Sequence, residues 1–219
     1  MPSPLSRCSL GEGGSELAPV SAVSRKTHGT AGDFDVNLPL TGPAGIECRK
    51  GGGTNSDTHQ VIMTFPVAVT VTSAGATPDP NQAGATGSVS SFSVSGAQVT
   101  VNLVGVSNAQ KLNITLSNVS DGVNTSSTLT VPMGVLAGDT TANGAVSSSD
   151  IAQTQSQSGQ PVTSSNFRED VTVNGSINSS DIAFVQSKSS TALSAGTSQS
   201  EENPTTTAPK HRGSPGKSF

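Results

Sequence analysis

Two stretches of this chain set oxygen-bearing side chains at alternate positions and then turn on a glycine. The first carries Asp139, Thr141, Asn143, Gly144, Val146, Asp150 and Ile151; the second carries Asp170, Thr172, Asn174, Gly175, Ile177, Asp181 and Ile182. Types and spacing repeat in the same order. A hard cation such as calcium takes about six to eight oxygens, and a loop of about twelve residues can wrap them round one point if it bends sharply midway. Gly144 and Gly175 supply the bend, because glycine tolerates backbone angles that other residues avoid. The expected ligands are Asp139, Thr141, Asn143, the carbonyl of Ala145, and Asp150 in the first loop. In the second they are Asp170, Thr172, Asn174, the carbonyl of Ser176, and Asp181. Val146 and Ile177 point the other way, where they can pack the loops together. Asp150 and Asp181 fall where a helix would begin, so each carboxylate can serve both a cation and a helix's first turn.

On these residues the pair resembles a type I dockerin, a duplicated calcium module named for docking onto cohesin domains. The family pattern is Asp-x-Asn-x-Asp-Gly-x-Val/Ile-x-x-x-Asp followed by a helix, twice over, and the likeness covers about residues 137–192. It implies a small α-helical domain with two EF-hand-like calcium loops. It also implies that Ser148, Ser149, Ser179 and Ser180, next to the closing aspartates, contribute to partner recognition. Thr141 and Thr172 stand where the family prefers Asn or Asp, and Asn143 and Asn174 where it often has Asp. Each loop therefore brings two formal negative charges, and two weak calcium sites are expected, in the ~10⁻⁴–10⁻³ M range of extracellular modules. The following segments, from Ile151 to Gly159 and from Ile182 to Ser189, are rich in Gln and Ser where dockerin helices carry Leu-Leu-Lys-Arg-like stretches. The expected partner is a cohesin-like or other protein, or a neighbouring domain of the same molecule.

The elements that must carry these loops are mainly β. The chain has 219 residues, enough for one or two domains, and is 32% hydrophobic with only 12% charged. Between about residues 31 and 136, apolar residues alternate with polar ones: Phe34, Val36 and Leu38; Gln60 to Phe65 and Val67 to Val71, bent at Pro66; Ser91 to Leu103, a hairpin turning at Ser95-Gly96; Lys111 to Leu116; and Thr128 to Met133, after a turn at Ser120-Asp121-Gly122. Short strands with period-two alternation and regular turns predict a β-sandwich. The segment resembles bacterial immunoglobulin-like domains. Ala74 to Ser90 is expected as a mobile excursion. Residues 1–30 and 193–219 are expected to be disordered tails, and Phe167, Val162 and Phe184 to form a small core between the loops.

Other chemistries find little support. The net charge of −4 comes with no basic patch, which argues against nucleic-acid binding. No apolar run of about 18 residues is present to span a membrane. Cys8 and Cys48 are expected as free thiols, and Cys48, His59 and Asp57 lack metal-site spacing. His28 and His59 lack a Ser or Cys partner in a recognisable elbow. Asp33, Asp35, Glu47, Asp57, Asp79 and Asp121 form no acid pair for glycoside hydrolysis. The glycine-rich ending from Gly213 to Ser218 lacks the first glycine of a phosphate loop. No catalytic residue is therefore expected. Met1 to Val20 carries no recognisable export signal, yet modules of this kind work where calcium is plentiful. The expectation is an extracellular or cell-surface bacterial protein, with this chain the carboxyl end of a longer one or its start misassigned. The function expected is a noncatalytic calcium-binding interaction module for protein docking or domain assembly. The alternatives are an accessory part of a polysaccharide-degrading or carbohydrate-binding protein, and a structural surface stalk.

Overall fold

The computed structural model describes residues 17–51, 57–80, 82 and 84–194. Among them run strands β1 (Ser21–Thr27), β2 (Asp33–Asn37), β3 (Gly45–Glu47), β4 (His59–Thr64), β5 (Ser73–Pro78), β6 (Ser88–Ser95), β7 (Gln98–Val104), β8 (Gln110–Ser120) and β9 (Thr125–Val135). Helices α1 (Ser148–Gln157) and α2 (Ser179–Lys188) follow. The strands form a five-stranded sheet in the order β2-β1-β4-β7-β6 and a four-stranded sheet in the order β3-β9-β8-β5. β3 pairs with β9 in parallel and every other pairing is antiparallel.

The expected mainly β architecture is present, and its cause is plain in the central strands. Val99, Val101 and Leu103 of β7, Leu112, Ile114 and Leu116 of β8, and Val131 and Met133 of β9 are buried in one core between the sheets. Their polar neighbours face out, as period-two alternation requires. The β6–β7 hairpin turns at the expected place, with Gly96 in the left-handed region at φ +57.

Three expectations need correction. β1 lies within the segment 1–30 that was expected to lack structure. Its inward side is Ala22, Ser24 and Lys26, all buried, so no apolar alternation marks it. β5 occupies the start of the supposed excursion from Ala74 to Ser90, with the small residues Ala74 and Ala76 against the core. Val67 to Val71 forms no strand; only Thr70 bridges to Ser120. Residues 1–16 and 195–219 of the two expected tails, with Cys8 and the glycine-rich ending, lie outside the described residues.

At one end the core changes from apolar to charged. Ser24, Lys26 and His28 at β1, Glu47 and Arg49 at β3, and His59 at β4 are all buried. Arg49 donates from Nε and Nη2 to the two carboxylate oxygens of Glu47, each at 2.8 Å. Its other N–H groups reach Ser24 O at 2.9 Å, Phe34 O at 2.8 Å and His28 Nε2 at 2.9 Å. All the donors of the guanidinium are thereby used. Glu47 also accepts from the Ser24 hydroxyl and from the backbone N–H of Arg49. Burial alone would push the Glu47 carboxyl up, but the charge and hydrogen bonds of Arg49 hold it well below the usual range.

His59 stands beside this pair without a share in it. Burial pushes its imidazole down to about 3, the charges of Lys26 and Arg49 add to that, and Glu47 opposes it. Its Nδ1 has no hydrogen-bond partner among the described residues. A histidine whose folded value lies below its unfolded one takes up a proton more readily when unfolded, so stability is complete above about pH 6.5 and is lost as the pH falls from there. The slope is at most about 1.4 kcal/mol per pH unit. Glu47 adds a further loss only below about pH 4, where the unfolded carboxylate is protonated. The melting temperature should therefore be level from pH 8 to 7 and fall between pH 6.5 and 4.5, and His59→Leu should flatten that fall. Calorimetric melts across this range check it; a wild-type profile level down to pH 5 would refute it.

Candidate metal centre

Each loop closes on itself through two aspartates. In the first, Asp139 accepts from Asn143 N at 3.1 Å with Oδ1 and from Gly144 N at 2.8 Å with Oδ2. Asp150 accepts from Thr141 N at 3.0 Å and Thr141 Oγ1 at 2.9 Å with Oδ1, and from Ser147 N at 2.9 Å with Oδ2. Thr141 Oγ1 also lies 3.3 Å from Asp139 Oδ1, so both carboxylates meet at one hydroxyl. The second loop repeats this apart from the shared hydroxyl, since Thr172 Oγ1 donates to Asp181 alone and accepts from Asn174 Nδ2 at 2.9 Å. Asp170 accepts from Asn174 N at 3.1 Å and Gly175 N at 2.9 Å. Asp181 accepts from Thr172 N at 3.0 Å, Thr172 Oγ1 at 2.8 Å and Asn178 N at 2.9 Å. Asn143 Oδ1 and Asn174 Oδ1 accept from Ala145 N and Ser176 N, each at 2.9 Å. Ser176 O accepts from Asn178 Nδ2 at 3.3 Å. All four aspartates are fully buried.

The closing aspartates do start the helices. Ser147 caps α1 and Asn178 caps α2, and Asp150 and Asp181 complete a capping box at the third helical position. One oxygen of each carboxylate serves the helix and the other serves the loop. The backbone pays strain at matching places: Ala142 at φ 59 and Val173 at φ 53 are left-handed, as are Gly144 at φ +87 and Gly175 at φ +88. A left-handed non-glycine residue costs about 1–2 kcal/mol, and the hydrogen bonds around it hold it there.

The donor set suits a hard cation, being oxygen throughout. Burial pushes the Asp139 carboxyl up and the nearby charge of Asp150 adds to the rise, against hydrogen bonds from Gly144 and Asn143. For Asp150 burial acts in the same sense but is outweighed by hydrogen bonds from Thr141 and Ser147, which bring it below the usual range. Two carboxylates sharing one dry loop is a condition that a divalent ion relieves. Among the described residues no site gathers three or more His, Cys, Asp or Glu side chains. A cation here would draw its remaining ligands from the threonine hydroxyls, the asparagine amides and main-chain carbonyls.

No family model, curated protein or solved structure matches this chain.

The two loops have different neighbours. The first pairs with the segment after α2: Val146 N bonds Thr191 O at 2.8 Å, Ser190 N bonds Val146 O at 2.9 Å, and Leu193 N bonds Gly144 O at 3.0 Å. Among the described residues the second receives only Gly159 N on Ile177 O, at 2.8 Å, from the segment after α1. Its other side meets the sandwich. Lys50 N bonds Val171 O at 2.7 Å, and His28 Nδ1 lies 2.9 Å from Asp170 Oδ2. A Cβ on Gly29 would stand 2.5 Å from Asn174 O, and one on Gly175 would stand 2.8 Å from His28 O. Arg168 bridges the halves, donating to Asp139 O and Thr140 O at 2.9 Å each and to Ile46 O at 3.2 Å.

The aromatic residues divide in a way the sequence did not foretell. Phe184 packs on a small core of Leu136, Val146, Val171 and Val185, as expected of it. Phe167 instead stacks on Phe34 of the sandwich, 5.5 Å between centroids and 6° from parallel, with the Arg49 guanidinium 5.2 Å from its ring. Val162 is half-buried and lies outside that core. Val146 and Ile177 are buried, as the loop pattern requires. Ser148, Ser149, Ser179 and Ser180 are all exposed on the first helical turns.

The Cys48 thiol is unpaired, faces the Arg168 carbonyl at 3.7 Å, and is pushed up to about 11 by burial. Two groups of the junction were missed from sequence. His28 contacts a loop far along the chain and carries no local signal. Glu169 is buried, accepts from Gln153 with Oε1, and leaves Oε2 without a partner among the described residues.

The Gly29–Gly175 contact can be separated from loop strain. Gly144→Ala meets nothing within 4 Å and should cost only the left-handed penalty of about 1–2 kcal/mol. Gly175→Ala pays the same penalty and drives its Cβ into His28 O, so it should cost clearly more. Denaturant unfolding of the two variants tests this, and equal losses would show that the contact does not constrain the fold.

Proposed function

We propose that this chain is a noncatalytic calcium-binding module whose duplicated, dockerin-like loops each take one ion and thereby hold the loop–helix half on an immunoglobulin-like sandwich. The observation that carries this reading is the pair of fully buried aspartates that closes each loop on its threonine, Asp139 and Asp150 both meeting Thr141 Oγ1 and Asp181 accepting from Thr172 Oγ1 with Asp170 buried in the same loop. Such a pair is poorly suited to standing alone and well suited to a divalent cation. The ion would be held by Asp139, Thr141, Asn143, Ala145 O and Asp150, and by the equivalent Asp170, Thr172, Asn174, Ser176 O and Asp181. Bound there it would neutralise the carboxylates. The chain's own part is to orient the oxygens through the capping boxes and the glycine bends.

Domain assembly within the molecule is favoured over capture of a separate protein. α1 buries Asp150 and Thr154, and α2 buries Asp181 and Val185. What the helices expose is mostly Ser, Gln and Ala, which gives a partner little apolar surface to bury. Docking of a cohesin-like protein is the second reading, favoured by the exposed serine pairs at equivalent places in both units. A sugar-binding role finds less support: the chain has no Trp or Tyr. The cleft of about 330 Å³ beside the second loop, with Arg25, Lys26, Lys50, His59, Asn102 and Val173 in its wall, has no Phe among its lining residues. Two charges per loop imply weak sites of ~10⁻⁴–10⁻³ M, which suits an extracellular setting. Neither helix is long and apolar enough to cross a membrane.

Calorimetric titration of the full chain with calcium tests the proposal. Two sites of that modest affinity are expected, a chelator should lower the melting temperature, and Asp150→Ala and Asp181→Ala should each remove one site. A titration without binding heat and a melt indifferent to chelator would overturn it.

A further inference from the structure

We propose that His28, a residue of the sandwich, is a positioning residue for the cation of the second loop, so that two loops of nearly the same sequence are unequal sites. This rests on the calcium reading and goes beyond it, because nothing in the repeat itself distinguishes the loops.

The argument starts from hydrogen-bond direction. Arg49 Nη1 lies 2.9 Å from His28 Nε2, and a guanidinium can only donate. His28 Nε2 therefore accepts, and Nδ1 carries the hydrogen that is donated to Asp170 Oδ2 at 2.9 Å. The contact is a directed hydrogen bond, with the ring's tautomer fixed by Arg49. Asp170 Oδ2 also accepts from Gly175 N at 2.9 Å. Two donors fill that oxygen, which leaves Oδ1, on the Asn174 side, as the oxygen that can turn to a cation.

The support behind the ring is rigid. His28 is fully buried, its ring makes a T-shaped contact with Phe34 at 5.1 Å between centroids, and Arg49 behind it is fixed on Glu47, Ser24 and Phe34. The matching carboxylate of the first loop has no such partner: Asp139 Oδ2 accepts from Gly144 N, and its side chain contacts no residue of the sandwich by hydrogen bond among the described residues. Outer groups that hold a ligand's orientation are commonly worth about 10–100-fold in metal affinity. That factor should fall on one loop only.

Calcium titration of the full chain decides it, with one loop silenced at a time and circular dichroism confirming that each variant is folded. With Asp139→Ala silencing the first loop, His28→Leu should weaken the remaining site by about 10–100-fold. His28→Asn, whose Nδ2 stands where the ring Nδ1 was, should restore it, although it leaves Arg49 as unpartnered as the leucine does. With Asp170→Ala silencing the second loop, His28→Leu should leave the first site unchanged. Equal weakening by Leu and Asn, or equal weakening of both loops, would mean that His28 only supports the fold, and would overturn the proposal while calcium binding stood. A parent chain that binds no calcium would overturn the calcium reading and this inference together.

Discussion

The buried pair of Arg49 and Glu47 is the constraint on which the junction depends. A charge in a sandwich core is tolerable only when every donor and acceptor is met, and breaking one side of such a pair costs about 3–5 kcal/mol. Here the guanidinium meets two carboxylate oxygens, two main-chain carbonyls and one imidazole nitrogen. By doing so it ends the apolar core and offers a rigid polar end wall. His28 stands on that wall and touches Asp170, and the stacked Phe34 and Phe167 cover the wall from the other side. The loop–helix half therefore joins the sandwich by a packed, directional contact and not by a linker.

Within the loops each closing aspartate performs two tasks with two oxygens. One oxygen caps the helix that follows and the other meets the threonine of its own loop. Helix geometry and loop geometry are thereby coupled, since moving the helix start moves the oxygen. The left-handed Ala142 and Val173 fit the same picture, because a strained conformation persists only where the surroundings over-determine it.

Local features were legible in the sequence and distant ones were not. The loop repeat, its glycine bends and the helix starts lie within a dozen or so residues, so spacing alone reveals them. β7, β8 and β9 are legible because their inward residues are apolar and alternate. β1 hides because Ser24 and Lys26 face inward and reverse the usual pattern, the very substitution that makes the polar end wall. β5 hides because Ala74 and Ala76 are small. The expected division near residue 30 failed for the first reason. Phe167 looked like a residue of the inter-loop core because nothing local ties it to Phe34. His28 and Asp170 are separated by 142 positions, and no periodicity reaches that far.

That separation carries a kinetic consequence. Three of the seven strand pairings join consecutive strands, the most distant pairing sets Gly45 beside Met133, and the capping boxes form within a single turn. The His28–Asp170 contact must instead close most of the polypeptide into a ring, and the entropy of closure grows with the logarithm of ring size. It gains nothing until the end wall exists to receive it. The ordering of the second loop is thus bound to the end of the assembly process, after the part of the chain synthesised first has already found its shape.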